Sequence, residues 1–357
     1  MTSWDGWFDR AARIAWRGHG GAEPNPMVGC VILDREGRPV AEGYHRRCGG
    51  PHAEVEALRR AGERARGGTA IVTLEPCNHH GRTGPCSQAL LHAGVARVVF
   101  ACPDPNPAAA GGAATLHDAG VEVVQVDHPA SRAVTEPFLL RRASGRPWVI
   151  AKWAESSDGR MVTPPGQTKW ISGERSRAMV HRERGRVDAV LTGMGTVLAD
   201  DPLLTVRGTT ARRTPMRVVW DPRLGMPIGS ALVGTARTVP LLVACTPGSL
   251  AESAHRAEEL RALGALVEPH ADPHELLRSL GARGASTVLV EAGPALTGRL
   301  LRDGLVDIAW VFTAPHELGP GQERERAPAD ARARASWPIA WSGMRGRDRV
   351  TIYRVPK

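Results

Sequence analysis

Four side chains in the N-terminal half could do chemistry together: His52, Glu54, Cys77 and Cys86. One imidazole and two thiolates make a soft nitrogen–sulfur set suited to zinc, and three protein ligands leave a fourth position for water, as in catalytic sites. Zinc lowers the pKa of its water to about 7, so the set could supply a nucleophile at neutral pH. Glu54, beside the metal but not bound to it, would carry the proton from that water to a leaving ammonia. The spacing is physically sensible. Residues two apart diverge in mid-helix, so His52 and Glu54 can share a site only from a helix's first turn. Pro51 suits the opening position of such a helix. Pro85-Cys86 also reads as a helix start, where the dipole favours a thiolate.

The combination of H-x-E with a proline-preceded cysteine pair is the signature of zinc nucleobase deaminases. Here the two cysteines are separated by eight residues, Asn78 to Pro85. That loop contains His79 and His80, which could displace a cysteine as ligand but read better as residues facing substrate. A structural zinc site would use the same donors, and Glu54 is what separates the two readings. Cys30, Cys48, Cys102 and Cys245 have no motif partners and read as core or neutral positions.

A second constellation lies in the C-terminal half. No G-x-G-x-x-G occurs; Gly193-Met194-Gly195 lacks the third glycine. Instead the strand Ser286–Glu291, the turn Ala292-Gly293 and the helix opener Pro294 offer backbone N–H groups and a helix dipole to an anion. Only Lys152, Lys169 and Lys357 among 46 basic residues are lysine. A lysine kept in an arginine-saturated chain suggests a place where a compact, deprotonatable head is needed.

The elements that must position these groups alternate between strand and helix. In the first half, 28–33, 69–74 and 97–102 read as strands, and 53–65 and 86–93 as helices, the second stopped by Gly94. In the second half, strands are expected at 148–154, 187–191, 217–220, 239–244, 286–291, 306–313 and 350–355. Helices are expected at 173–184, 250–263, 274–280 and 294–302. Such alternation argues for layered α/β domains. Residues 141–147 read as a linker, giving domains at 1–145 and 146–357, with 319–346 an irregular Arg/Ala/Pro-rich segment.

The chain has 357 residues, 42% apolar and 23% charged, ordinary for a soluble globular protein and long enough for two domains. No run approaches the ~18 apolar residues of a membrane span. The first residues carry neither a basic nor an apolar leader segment, so the expected location is the cytoplasm, with reduced thiols. Net charge is +9, but residues 1–146 hold 17 basic and 15 acidic side chains. That dispersed excess, with few aromatics nearby, argues against a nucleic-acid groove and suits small anionic ligands.

The motifs resemble a known family. Pro24-Asn25-Pro26-Met27-Val28-Gly29, Gly49-Gly50-Pro51-His52-Ala53-Glu54, Thr73–Thr83 and Asp104-Pro105-Asn106-Pro107 are similar to the deaminase half of the bifunctional riboflavin-biosynthesis deaminase–reductases. Lys152–Arg160, Trp170-Ile171-Ser172, Thr196–Arg207 and Glu291-Ala292-Gly293-Pro294 resemble its reductase half. The resemblance implies a cytidine-deaminase-like three-layer α/β/α domain, followed by a dihydrofolate-reductase-like α/β domain using NADPH. It implies deamination of 2,5-diamino-6-ribosylamino-4(3H)-pyrimidinone 5′-phosphate, then reduction of its ribosyl group to ribityl. His52, Cys77 and Cys86 would hold Zn2+, Glu54 would shuttle the proton, Asn25 would contact the pyrimidine and Arg82 the phosphate. Ala154, Trp170, Thr196, Asp200 and the run Gly293, Pro294, Ala295, Leu296, Thr297, Gly298, Arg299 would line NADPH. Thr168, Arg184, Leu204, Arg207 and Glu291 would hold the reductase substrate, with Lys152 near its ribose. The family also implies a homo-oligomer and no nucleic-acid or membrane partner.

The sequence departs from the family pattern in places. Glu155 replaces a small residue and is expected to bring a carboxylate close to the nicotinamide. Ser157 replaces a leucine, Thr135–Phe138 differs, and His316-Glu317-Leu318-Gly319 opens a divergent stretch.

Overall fold

A computed structural model describes residues 4–79, 84–163, 170–319, 321 and 325–357. The chain divides into two compact units, Met1–Gly145 and Arg146–Lys357.

The first unit is built on β1 (Gly29–Leu33), β2 (Pro39–Tyr44), β3 (Thr69–Leu74), β4 (Arg97–Cys102) and β5 (Glu122–Gln125), in the order β2-β1-β3-β4-β5. β1 pairs antiparallel with β2 and β3, whereas β3, β4 and β5 are parallel. β1 and β3 are buried along their whole length, as strands covered on both faces must be. α1 (Asp5–Ala15) and α5 (Pro129–Ser144) cover one face; α2 (Ala53–Ala61), α3 (Cys86–Ala93) and α4 (Gly112–Asp118) cover the other. The three layers enclose a core of Val, Ile, Leu and Ala.

The second unit carries β6 (Trp148–Glu155), α6 (Glu174–Arg184), β7 (Ala189–Gly193), α7 (Met194–Asp200), β8 (Met216–Trp220) and α8 (Ala231–Gly234). There follow β9 (Leu241–Cys245), α9 (Pro247–Glu252), α10 (Ala254–Ala262), β10 (Leu266–Pro269), α11 (Pro273–Ala282) and β11 (Thr287–Val290). α12 (Pro294–Arg302), β12 (Ile308–Thr313), α13 (Ala331–Arg334), β13 (Ile339–Arg345) and β14 (Asp348–Arg354) complete it. The nine strands run β10-β9-β8-β7-β11-β6-β12-β14-β13, parallel from β10 to β12 and antiparallel beyond. β11 enters late between β6 and β7, and this break in strand order opens a crevice at the carboxyl ends.

Several sequence expectations need correction. Arg141–Ser144 are not a linker but the last turn of α5, which stops at Gly145 in the left-handed region (φ 72). The 250–263 helix is two helices that meet at Ser253, whose non-helical backbone (φ −120, ψ 38) breaks the run. The 319–346 segment is not irregular throughout. Asp330 caps the short helix α13, and Ile339–Arg345 form the edge strand β13, turned into β14 at Gly346. Arg and Gly dilute the alternation in β13, and its side chains are largely exposed, so no apolar period marks it.

Candidate active sites

In the first unit, α2 and α3 both begin at one cavity. His52 is the extended N-cap of α2, and Glu54 sits in that helix's first turn. Pro51 therefore precedes the cap rather than opening the helix as the sequence suggests. Gly43 lets the start of α2 lie against β2, because a Cβ there would fall 2.2 Å from the Ala53 carbonyl oxygen. Cys86 is the first residue of α3, after the N-cap Pro85. Cys77 follows β3.

His52 Nδ1 lies 3.3 Å from Cys86 Sγ and 3.4 Å from Cys77 Sγ, and the Cys86 N–H donates to Cys77 Sγ at 3.4 Å. All three ligand atoms fall within 4.8 Å of one another, the metal-type cluster found among the described residues. Hydrogen bonds from Cys86 and His52 pull the Cys77 thiol down to about 4, while the same Cys77 contact and burial push the Cys86 thiol up. Burial lifts the Glu54 carboxyl to about 7, against the opposing pull of His52. The two soft sulfurs and one imidazole nitrogen converge as zinc requires, and Glu54 stays outside the ligand set.

The adjoining cavity of about 160 Å³ is lined by Asn25, His45, Glu75, His79, Asp104 and Asn106, among others. His45 donates from Nδ1 to the Pro51 carbonyl at 3.0 Å, so its Nε2 accepts from Asn25 Nδ2 at 3.3 Å. That leaves the Asn25 carbonyl oxygen as the acceptor available to a ligand. Glu75 holds the 104–113 loop by accepting from the N–H groups of Asp104, Gly111 and Ala113. His79 also lines this cavity, and its Nδ1 is buried with no hydrogen-bond partner among the described residues.

In the second unit, a cavity of about 370 Å³ opens at the carboxyl ends of β6, β7 and β11. β6 brings Lys152, Trp153 and Ala154 to the cavity, while the side chains of Trp153 and Glu155 are buried, with Trp153 Nε1 donating to Glu155. Arg184 of α6 grips Glu291 with two nitrogens, one at 2.9 Å, and donates to the Thr205 carbonyl at 3.0 Å. Burial would raise the Glu291 carboxyl, but Arg184 holds it below its usual value. Burial lowers the Lys152 ammonium, partly offset by Glu291. The Arg207 N–H donates to His181 Nδ1 at 3.3 Å. The Gly293 N–H, the first donor of the anion cradle, is already taken by Thr196 Oγ1 at 3.2 Å.

Two family models match this chain. The cytidine and deoxycytidylate deaminase zinc-binding region matches residues 1–102, and the RibD C-terminal domain matches residues 147–335. The riboflavin biosynthesis protein RibD of Escherichia coli (strain K12) is 42% identical over 322 residues, covering 87% of each chain. That of Aquifex aeolicus is 38% identical over 315 residues, covering 87% of this chain and 86% of the relative. The chain belongs to the RibD family. Among solved structures, Acinetobacter baumannii RibD is 36% identical, with a TM-score of 0.81 over 99% of both chains. A Thermotoga maritima diaminohydroxyphosphoribosylaminopyrimidine deaminase/5-amino-6-(5-phosphoribosylamino)uracil reductase is 30% identical, again with a TM-score of 0.81 over 99% of both.

Within this RibD chain, the expected residues gather unevenly. Asn25, His52, Glu54 and Cys77 line the first cavity, with Cys86 in the metal cluster beside it. Lys152, Ala154, Trp170, Arg184, Thr196, Asp200, Leu204, Arg207, Glu291 and Gly293 all line the second. The rest of the 293–299 run does not. Leu296 packs into the core, Thr297 is buried and donates to the Ala292 carbonyl, and Arg299 pairs with Asp303 at the surface. Arg82 and Thr168 lie outside the described residues, as does His80. Glu155 does not face the nicotinamide region: one residue of β-strand alternation turns it to the other face, where Arg334 pairs with it at 2.6 Å. Sequence reasoning missed His45 and Glu75 in the first site and His181, Ser172 and Arg177 in the second. His45 had a legible signal, a histidine seven residues before the ligand His52; Glu75 and Ser172 stood inside the motifs Thr73–Thr83 and Trp170-Ile171-Ser172 without a role, and His181 and Arg177 carry no signal apart from the fold.

Proposed function

We infer that this chain is a bifunctional enzyme of riboflavin biosynthesis, a zinc-dependent pyrimidine deaminase joined to an NADPH-dependent reductase. The observation that carries the reading is the pairing, on one chain, of a His/Cys/Cys cluster beside a buried carboxyl with a crevice at parallel strand ends that holds Lys152 and the Arg184–Glu291 pair. The substrate is 2,5-diamino-6-ribosylamino-4(3H)-pyrimidinone 5′-phosphate and the final product 5-amino-6-ribitylaminouracil 5′-phosphate.

His52, Cys77 and Cys86 would hold the zinc, which would supply water activated as a nucleophile near neutral pH. Glu54, buried beside the cluster, takes a proton from the attacking water and gives it to the 2-amino group, which leaves as ammonia. Asn25, oriented by His45, accepts from the pyrimidine. Arg82 meets the phosphate.

In the reductase, NADPH supplies the hydride. The C1′–O4′ bond of the ribosyl group opens, C1′ receives the hydride and O4′ receives a proton. Lys152, whose ammonium burial makes more acidic, delivers that proton. Arg184, Arg207, Thr168 and Leu204 hold the phosphorylated substrate, and Glu291 fixes the Arg184 fork. Ala154, Trp170, Thr196, Asp200 and Gly293 hold the cofactor.

We place the enzyme in the cytoplasm, where thiols stay reduced: Cys77 and Cys86 serve as metal ligands, and the exposed Cys48 is unbridged. We also propose a homo-oligomer. The edge strand β13 exposes Ile339, Trp341 and Met344, an apolar edge suited to a second copy. Light scattering tests the assembly. The function is tested anaerobically with the diaminopyrimidinone ribotide, following ammonia release and NADPH oxidation separately, with and without a zinc chelator. Both signals, with chelation stopping ammonia release, are expected; ammonia without NADPH oxidation would remove the reductase half of the reading.

A further inference from the structure

Arg217, the second residue of β8, is fully buried. Among the described residues its hydrogen-bond partners are all neutral oxygens. It donates to Thr235 Oγ1 at 2.6 Å, to the Val239 and Pro240 carbonyls, and to the Leu203 carbonyl at 3.4 Å. Burial pulls the guanidinium down to about 10, so it remains cationic at neutral pH. A buried charge with no counter-ion is costly, and an apolar residue would serve a central parallel strand better. What the guanidinium adds is a planar fork of five donors able to join several chain segments at once.

One of those segments belongs to the reductase crevice. Residues 201–207 have no regular secondary structure, yet Leu203, Leu204 and Arg207 line the cavity. Two of the seven, Asp201 (φ 41) and Leu204 (φ 53), sit in the left-handed region without being glycine. Such residues persist only where the surroundings over-determine them. The anchors are visible. Asp201 Oδ1 accepts from the Ala231 N–H at 2.8 Å, Arg184 takes the Thr205 carbonyl, and His181 takes the Arg207 N–H. The Leu203 carbonyl, directly before the left-handed Leu204, accepts from Arg217 at 3.4 Å.

We propose that Arg217 is a positioning residue of the reductase: it fixes the 201–207 strap and so sets Leu204 and Arg207 for the phosphorylated substrate. The proposal rests on the reductase reading above. Arg217 touches neither substrate nor cofactor. Its effect is on substrate placement, and the deaminase on the same chain is an internal control.

The test uses the full-length enzyme with the deaminated ribotide and NADPH, in Arg217→Met, Arg217→Lys and Thr235→Val. Arg217→Met is expected to raise the ribotide KM about tenfold, with kcat changed less than about threefold and the NADPH KM less than about twofold. Arg217→Lys, which keeps the charge but loses the fork, is expected to match it. Thr235→Val removes one anchor of the fork and should shift the ribotide KM the same way, by about threefold. Hydrogen exchange without ligands should show faster exchange at 203–207 in Arg217→Met, while the β8 amides 217–220 stay protected.

An unchanged ribotide KM, or full rescue by lysine, would overturn the proposal. So would a parallel loss of kcat, both KM values and β8 protection, which would make Arg217 a fold residue. If Arg217→Met does not fold, Thr235→Val decides by the same KM reading. If the wild-type chain fails to oxidise NADPH with the ribotide, the reductase reading falls, while strap exchange still reports whether Arg217 anchors residues 203–207.

Discussion

The two sites solve the positioning problem in opposite ways. In the first unit, three ligand atoms within 4.8 Å and one carboxyl come from two helix starts and the residue after a strand, beside a cavity of about 160 Å³. In the second, the lining groups come from β6, α6, a strap and the turn after β11, around a cavity of about 370 Å³. Hydrolysis at one ring carbon needs a point of converging chemistry. Hydride transfer needs two large ligands aligned face to face, and a surface does that better than a point. The first site should therefore be fragile at single residues, and the second tolerant except where a proton or a fixed ion pair is required.

The sharpest test of that contrast is Glu54→Gln. It removes the proton shuttle without touching a ligand, so deamination should fall by about 10³-fold, with zinc content by metal analysis unchanged. Reduction of the pre-deaminated ribotide should continue at the wild-type rate. Loss of zinc would show that Glu54 belongs to the ligand set and would break the point-site picture. Chelation should reach the same endpoint by another route, abolishing ammonia release while leaving the reduction of pre-deaminated ribotide intact. Readdition of zinc should restore deamination. A reductase that also stopped on chelation would mean that the two sites are not independent.

In the second unit, Lys152→Met should lower NADPH oxidation by about 10²-fold and leave deamination unchanged. Burial already disfavours the charged ammonium. Its folded pKa lies below the unfolded value, so the charged form costs stability, and that cost fades as pH rises through the folded pKa. The melting temperature of Lys152→Met at pH 7 should therefore not fall. A lower one would identify Lys152 as a structural group, and its activity effect would then say nothing about proton delivery.

The same contrast governs what could be seen in the sequence. The metal site was legible because its parts are local: His52 and Glu54 are two residues apart, and each cysteine stands beside a proline. The second site is spread from Lys152 to Glu291 and is assembled by β11 slipping between β6 and β7, which no local pattern announces. The family resemblance placed ten of its residues on the cavity wall, but could not show that Leu296 and Thr297 turn into the core or that Glu155 faces away. That last error came from reading proximity along the chain as proximity in space. On a strand, the residue after Ala154 points to the opposite face. The β13 strand escaped for a different reason: an exposed edge strand has no buried face to impose alternation.

Glu155 and Arg334 allow the smallest test, one that should leave both activities nearly unchanged at moderate temperature. Each departs from a pattern, Glu155 as a carboxyl in place of a small residue and Arg334 as part of the divergent segment, and the structure pairs them. Both side chains are nine-tenths buried or more, with Arg334 donating at 2.6 and 2.9 Å. Glu155 also accepts from Trp153 Nε1 at 3.0 Å, and Arg334 lies over the Trp153 ring. Removing one partner leaves a buried charge unmatched, so Arg334→Met should destabilise the second unit by about 3–5 kcal/mol in denaturant unfolding followed by loss of reductase activity. Deaminase activity should persist at denaturant concentrations where the reductase is lost. The double variant Glu155→Leu/Arg334→Met should recover most of the loss, short of about 1–3 kcal/mol for the Trp153 N–H left without an acceptor. If the double variant is as unstable as the single, the pair is not a compensated substitution and Glu155 holds β6 through Trp153 alone. If Arg334→Met instead lowers reductase kcat without lowering stability, the outer face of β6 is coupled to Lys152, and the second site is less tolerant than its breadth suggests.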